Sequence, residues 1–153
     1  MGRRAVVYAD RMDALYLIDR LGMRPHPEGG HYVETWRAPA TTQGARPVAS
    51  AILYLLAAGE RSHWHRVDAA EIWQYASGEP LELRIWADGD ATVTTVRLGD
   101  AAHDSATPQA VVPAGSWQAA RPLGAWTLVG CIVAPAFEFE GFELAPAGWE
   151  PPG

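Results

Sequence analysis

The chain has 153 residues, 48% of them hydrophobic and 20% charged, which is the composition of one globular domain able to bury a core without disulfides. A net charge of −6 argues against a phosphate-backbone binder, and no apolar run reaches the roughly 18 residues that cross a bilayer. A single cysteine, Cys131, excludes an intramolecular disulfide and a multi-cysteine metal site.

The first element in chain order is a short helix. Asp10 can cap it, Met12, Leu15, Ile18 and Leu21 recur at helical spacing, and Gly22 followed by Pro25 and Pro27 stops it. Strand patterns follow. His31 to Arg37 is short and β-rich, and Val48 to Ala57 is almost wholly apolar, as a central strand buried on both faces would be. Ser62 to Val67 and Glu71 to Ala76 come next. Leu81 to Ala87 and Thr92 to Leu98 flank the hairpin signal Asp88-Gly89-Asp90. Gly99 to Thr107 reads as a loop that carries a solvated His103. Gln109 to Val112 ends at Pro113-Ala114-Gly115. Trp126 to Ala134 is a buried strand that holds Cys131 as a core thiol, Phe137 to Leu144 alternates around Gly141, and 146–153 is an extended tail. About ten strands, seven tryptophans, 15 glycines and 12 prolines predict an all-β sandwich or barrel with a large aromatic interior. Periodicity leaves an immunoglobulin-like sandwich, a lipocalin-like barrel and a jelly roll open. With no secretory leader apparent, the expected location is cytoplasmic.

Gly59-Glu60-Arg61-Ser62-His63-Trp64-His65 is the most informative stretch. Strand residues two apart share a face, so His63 and His65 are expected side by side. Glu71 would lie on the next strand with Trp73 and Tyr75 on its face, whereas Gln74 would point away. Two imidazoles and a carboxylate can form a facial site for one divalent ion such as Zn, Mn, Fe or Ni. The turn His26-Pro27-Glu28-Gly29-Gly30 allows close backbone approach, and Glu28 or His26 could reach a barrel mouth from it. Glu34 shares parity with Tyr32 and Trp36, a face that could look into the barrel.

The glycine, His-x-His, glutamate and Gly78 resemble the first cupin signature, and Pro113-Ala114-Gly115-Ser116-Trp117-Gln118 resembles the second, with Gln118 where the family places a histidine. Pro25 to Gly30, Glu34-Thr35-Trp36-Arg37, Glu71-Ile72-Trp73, Gly78 to Leu83, Val112 to Gln118 and Leu128 to Cys131 are similar to the cupin-5 family from about residue 12 to 145. The chain departs locally at Val33, where arginine is common in the family, and at Gln74, where histidine is common. The resemblance implies a single cupin domain over 1–153: a double-stranded β-helix, or RmlC-like jelly roll, with a short N-terminal helix. It also implies a homodimer, and Ala5 to Tyr8 could add a strand to a partner's sheet.

Two functions compete at this level. One is an isomerase, epimerase or lyase acting on a sugar-like or carbonyl-containing metabolite, without an organic cofactor. His65 or His63 would be its base, Tyr75 or Tyr54 its acid, and Glu28 a further catalytic group. In a metal-assisted version His63, His65, Glu71 and Gln118 would hold the ion. The alternative is a non-catalytic protein that binds a small metabolite by stacking on Trp64, Trp73 or Trp117, with Glu34 and Tyr54 supplying polar contacts.

Overall fold

The structure is a computed structural model that describes residues 13–153. Asp10, Met12 and the Ala5 to Tyr8 segment lie outside them. Helix α1 occupies 13–21 and ends at Gly22, whose φ of 67° suits a left-handed cap. The strands are β1 (Arg24–Pro25), β2 (His31–Arg37), β3 (Ser50–Ala57), β4 (Ser62–Val67), β5 (Ala70–Gly78) and β6 (Leu81–Trp86). They continue with β7 (Thr94–Leu98), β8 (Gln109–Val112), β9 (Trp117–Pro122), β10 (Trp126–Ala134) and β11 (Phe142–Leu144). A six-stranded sheet runs β1-β2-β3-β10-β5-β8 and a five-stranded sheet runs β11-β4-β9-β6-β7, with every strand pair antiparallel. The fold is the jelly roll expected.

One half of the space between the sheets is packed solid. Leu56, Trp73, Leu81, Leu83, Leu98 and Val129 form the main core there, and the other half is left open as a cavity. On the outer face of the six-stranded sheet, α1 covers Leu53 and Leu55 with Ala14, Leu17, Ile18 and Leu21. Together with Tyr54 and Leu56 on the inner face, this buries the second half of β3 on both sides. Leu15 is 57% exposed, contrary to the expected stripe. Steps of three residues drift around a helix, whereas positions 14, 17, 18 and 21 stay on one face.

Two segments differ from the sequence expectation. Trp117–Pro122 is a full strand between β4 and β6, although Ala119, Ala120 and Pro122 give it little local β preference. Pairing on both edges supplies what propensity does not. Of Phe137 to Leu144, only the last three residues form a strand, after a 3-10 turn over Phe139–Gly141. Among the described residues no helix is long and apolar enough to cross a membrane.

Candidate active site

The cavity between the sheets has a volume of about 390 Å³. His26, Glu28, His65, Glu71 and Cys131 line it, with Glu34, Arg37 and Phe139 at its exposed rim.

Glu28 arrives on the turn before β2. Gly29 and Gly30 have φ of 113° and 72°, a region other residues avoid. A side chain on Gly29 would strike the Arg61 carbonyl, and one on Gly30 would come within 2.7 Å of the Leu55 oxygen. The turn is pinned by the Tyr54 hydroxyl, which donates to the Gly29 carbonyl, and by the His63 N–H, which donates to the Glu28 carbonyl at 2.8 Å. Gly29→Ala is therefore expected to lower stability by about 1–3 kcal/mol in denaturant unfolding, through backbone strain and the Arg61 collision.

The pinned turn places Glu28 Oε2 2.7 Å from His65 Nε2, with both side chains buried. The other ring nitrogen of His65, Nδ1, lies 2.8 Å from the His63 carbonyl oxygen, which can only accept. Both nitrogens thus face acceptors, and the ring carries two protons. Burial disfavours that charge, but Glu28 outweighs it by its charge and hydrogen bond, with help from Glu71, so the imidazole is pushed up to about 9. Burial likewise opposes the Glu28 charge, and His65 overcomes it, holding the carboxyl below its ordinary range. His26 Nδ1 accepts the Glu28 N–H at 3.2 Å, and burial lowers its pKa despite the nearby Glu28 charge. His26 is therefore a neutral neighbour, not a second cation.

Glu71 enters from β5. Burial is the largest influence on it, and with the Glu28 charge it raises the carboxyl to about 7, although His65 and the hydrogen bond from Gln118 oppose the rise. Gln118 Nε2 donates to Glu71 Oε2 at 2.7 Å, and Gln118 Oε1 accepts the Trp73 indole N–H at 2.8 Å. An indole can only donate, so Trp73 fixes the amide's orientation. Gln118→Leu is expected to leave the indole unpaired and Glu71 with one hydrogen bond fewer. Stability should fall by about 1–3 kcal/mol in denaturant unfolding, and the Glu71 carboxyl should titrate higher by NMR.

Several expected site residues lie elsewhere. Ser62 pairs with Ala120 and His65 with Gln118, so β4 advances three residues while β9 advances two. This bulge breaks the alternation that would have put His63 beside His65. His63 instead donates through Nε2 to the Pro146 carbonyl at 2.9 Å, outside the cavity. Trp64 and Trp117 cluster with Trp86 and Trp149 on the outer face of the five-stranded sheet. Gln118 faces inward, so its strand neighbour Trp117 must face outward. Trp73 is a core residue that props Gln118 and packs edge-on against Tyr54 with centroids 6.1 Å apart. Tyr54 supports the Glu28 turn, and burial raises its pKa well above the ordinary value. Tyr75 keeps the face of Glu71 and Trp73 but packs against the filled half of the core, and its hydroxyl donates to the Gly78 carbonyl at 2.7 Å, away from the cavity. Glu34 does reach the rim, clamped by Arg37 at 2.9 Å. Trp36 does not, because a shift between Glu34 and Trp36 turns it out, 53% exposed. Gln74 points away as expected, bonded to Gln109 at 2.8 Å.

Cys131 is more than a filler. Its thiol lines the cavity as well as belonging to the main core, and burial followed by the Glu71 charge pushes its pKa well up. Position 131 on a buried strand gave no sign of this, because burial and cavity lining look alike along one strand. Phe142, whose ring centroid is 5.5 Å from that of His65, was equally hidden in a misread segment.

The side chains present do not fit the divalent ion that His63, His65, Glu71 and Gln118 were expected to be able to hold. His63 faces away, His65 presents N–H groups instead of lone pairs, and Gln118 turns its NH₂ toward Glu71. Among the described residues no group of three or more His, Cys, Asp or Glu side chains is arranged to hold a metal ion.

The chain is similar to solved structures over most of its length. A protein of Shewanella oneidensis matches with 35% identity and a TM-score of 0.78, covering 85% of this chain and 82% of that one. A hypothetical protein from Leishmania major matches with 28% identity and a TM-score of 0.77, covering 86% of each chain. An oxalate decarboxylase from Lactobacillus farciminis shares the fold at 14% identity and a TM-score of 0.57, covering 82% of this chain and 34% of that one. No curated protein matches in sequence. The jelly roll, the polar cavity between its sheets and a family-model match over residues 15–145 together establish that the chain belongs to the family described as Cupin superfamily (DUF985).

Proposed function

We propose that the cavity carries out proton transfer next to a carbonyl group of a small polar metabolite, as an isomerase, epimerase or lyase does. One observation carries the reading: two buried carboxyls flank one buried imidazole, and their environments push them in opposite directions. Glu71, near neutrality, is suited to take a proton from carbon. Glu28, held ionised by His65, is suited to relay the His65 Nε2 proton to oxygen.

The balance is simple. Glu71 removes the proton from the carbon beside the carbonyl. The electron pair of that C–H bond moves to the carbonyl oxygen as an enolate. Glu28 takes the Nε2 proton of His65 on one oxygen and delivers a proton to the enolate, ending ionised again beside an enol, a protonated Glu71 and a neutral His65. Return of the Glu71 proton to the neighbouring carbon of a hydroxycarbonyl substrate, while the other hydroxyl's proton passes through Glu28 back to His65, gives an isomer, and its return to the same carbon after the enol has turned its opposite face to Glu71, with the enol proton leaving by the same route, gives an epimer. Loss of a leaving group from the next carbon gives a lyase.

The test is deuterium wash-in, followed by NMR, with a panel of oxo-sugars, hydroxyketones and 2-oxo acids in heavy water. At least one compound should gain deuterium beside its carbonyl, and Glu71→Gln should slow this by at least about 100-fold. A compound that binds but exchanges no faster than in buffer would turn the reading into that of a binding protein.

A further inference from the structure

The C-terminal residues 146–153 pack against the outer face of the five-stranded sheet, opposite the cavity. The Ala145 N–H donates to the Trp64 carbonyl at 2.9 Å as the chain leaves β11. A turn then brings the Trp149 N–H to the Pro146 carbonyl at 3.1 Å, with Gly148 at a φ of 77°. Trp149 enters a box of Trp64, Trp86 and Trp117, its ring centroid 4.7 Å from that of Trp117 and 6.0 Å from that of Trp64. Glu150 Oε2 accepts from the Trp64 indole at 3.0 Å and from Arg84 at 3.2 Å.

Two of these anchors fall on the residues enclosed by the β4 bulge. His63 is held through its ring by Pro146, and Trp64 through its indole and carbonyl by Glu150 and Ala145. An unbulged ladder starting from Ser62 opposite Ala120 would pair Trp64, not His65, with Gln118. A slip of one residue reverses which side chains face inward. The inward direction of His65, and the His63 carbonyl against its Nδ1, therefore both depend on the bulge.

We propose that residues 146–153 are a positioning strap for His65. By gripping His63 and Trp64 from outside, the strap holds the bulge that turns the imidazole into the cavity and sets its two proton partners. The catalytic importance of this strap rests on the proposed role of the Glu28–His65 pair, but its effect on His65 is measurable without any substrate.

The test uses full-length protein labelled with ¹⁵N at histidine. In the wild type, both ring protons of His65 should appear as slowly exchanging imidazolium signals near neutral pH. The ring is faced by Glu28 from the turn before β2, by Glu71 from β5 and by the neutral His26. All three remain in a strap variant. Trp149→Ala should still unfold cooperatively, because the strap contributes to none of the core between the sheets. Its His65 ring protons should exchange at least about 10-fold faster, and any wash-in activity should fall by a similar factor. Trp149→Phe, which refills most of the box, should restore the wild-type signals, and exposed His103→Ala should leave them unchanged. If Trp149→Ala does not fold, Glu150→Ala, which frees the Trp64 indole, is read in the same way. Unchanged His65 ring-proton exchange in a folded strap variant would overturn the proposal. Absent wash-in activity with altered His65 signals would count against the reaction and leave the strap standing.

Discussion

His65→Ala is expected to cost about 3–5 kcal/mol of folding stability, well above the usual effect of a single substitution. The loss of ring packing against Phe142 is the smaller part. The larger part is that Glu28, buried and held ionised by the imidazolium 2.7 Å away, loses its counter-charge where water cannot replace it. Glu28→Ala should cost a similar amount by stranding the cation, although His65 can shed its proton and recover part of the loss. Replacing both by leucine should be much milder than the two single losses added together, since an apolar pair removes both desolvation penalties. Chemical denaturation of the two single variants and the double variant reads this directly. Near-additive losses below about 1 kcal/mol each would mean that the pair is solvated and the cavity wetter than its burial implies.

Stability should also fall from mildly acidic towards alkaline pH, by about 4–5 kcal/mol between pH 6 and pH 10. The imidazole of His65 is raised from 6.5 to about 9 in the folded protein, so its contribution is complete below 6.5 and lost as pH rises through about 9. Glu71 is raised from 4.5 to about 7, so the folded chain holds that proton more tightly than the unfolded one. Its contribution has the same sign and fades as pH climbs from 4.5 through 7. Glu28 works the other way. Its carboxyl is lowered by folding, so its contribution is present above 4.5 and lost in stronger acid. Together the three groups place the maximum near pH 4.5, where Glu28 has nearly its full effect and that of Glu71 has only begun to fade. Glu71→Gln should flatten the slope between pH 5 and 8 and leave the loss near pH 9 in place. Thermal or denaturant unfolding across this range checks both points, and a curve that rises from pH 6 to pH 9 would contradict the assigned charges.

The sequence and the structure agree most closely where one local signal sufficed. Gly22 ends α1, the paired glycines at 29 and 30 mark a turn that brings Glu28 inward, and the apolar run into β3 is a central strand. Glu28, His65, Glu71 and Gln118, which the fold brings together, were each legible as candidates, because a carboxylate on a tight turn or a polar residue in a strand pattern is conspicuous. The jelly roll itself came from the combination of motifs, since alternation alone fitted three architectures.

What the sequence determined by itself was the set of short amphipathic strands, the turns that separate them and the polar residues available to a barrel interior. All of these depend on side-chain type and on spacing within a few residues. Only the tertiary structure decided which of those residues meet. The bulge in β4 separated His63 from His65 and sent Trp64 outward, and it is defined by pairing with β9, a strand that its own residues barely signal. The indole of Trp73 fixed the Gln118 amide so that its NH₂, not its oxygen, faces Glu71. Cys131 became a cavity wall only because β10 lies beside β5. Register, amide orientation and protonation are set by partners distant in the chain, and so they appear only when both strands of a pair are in place.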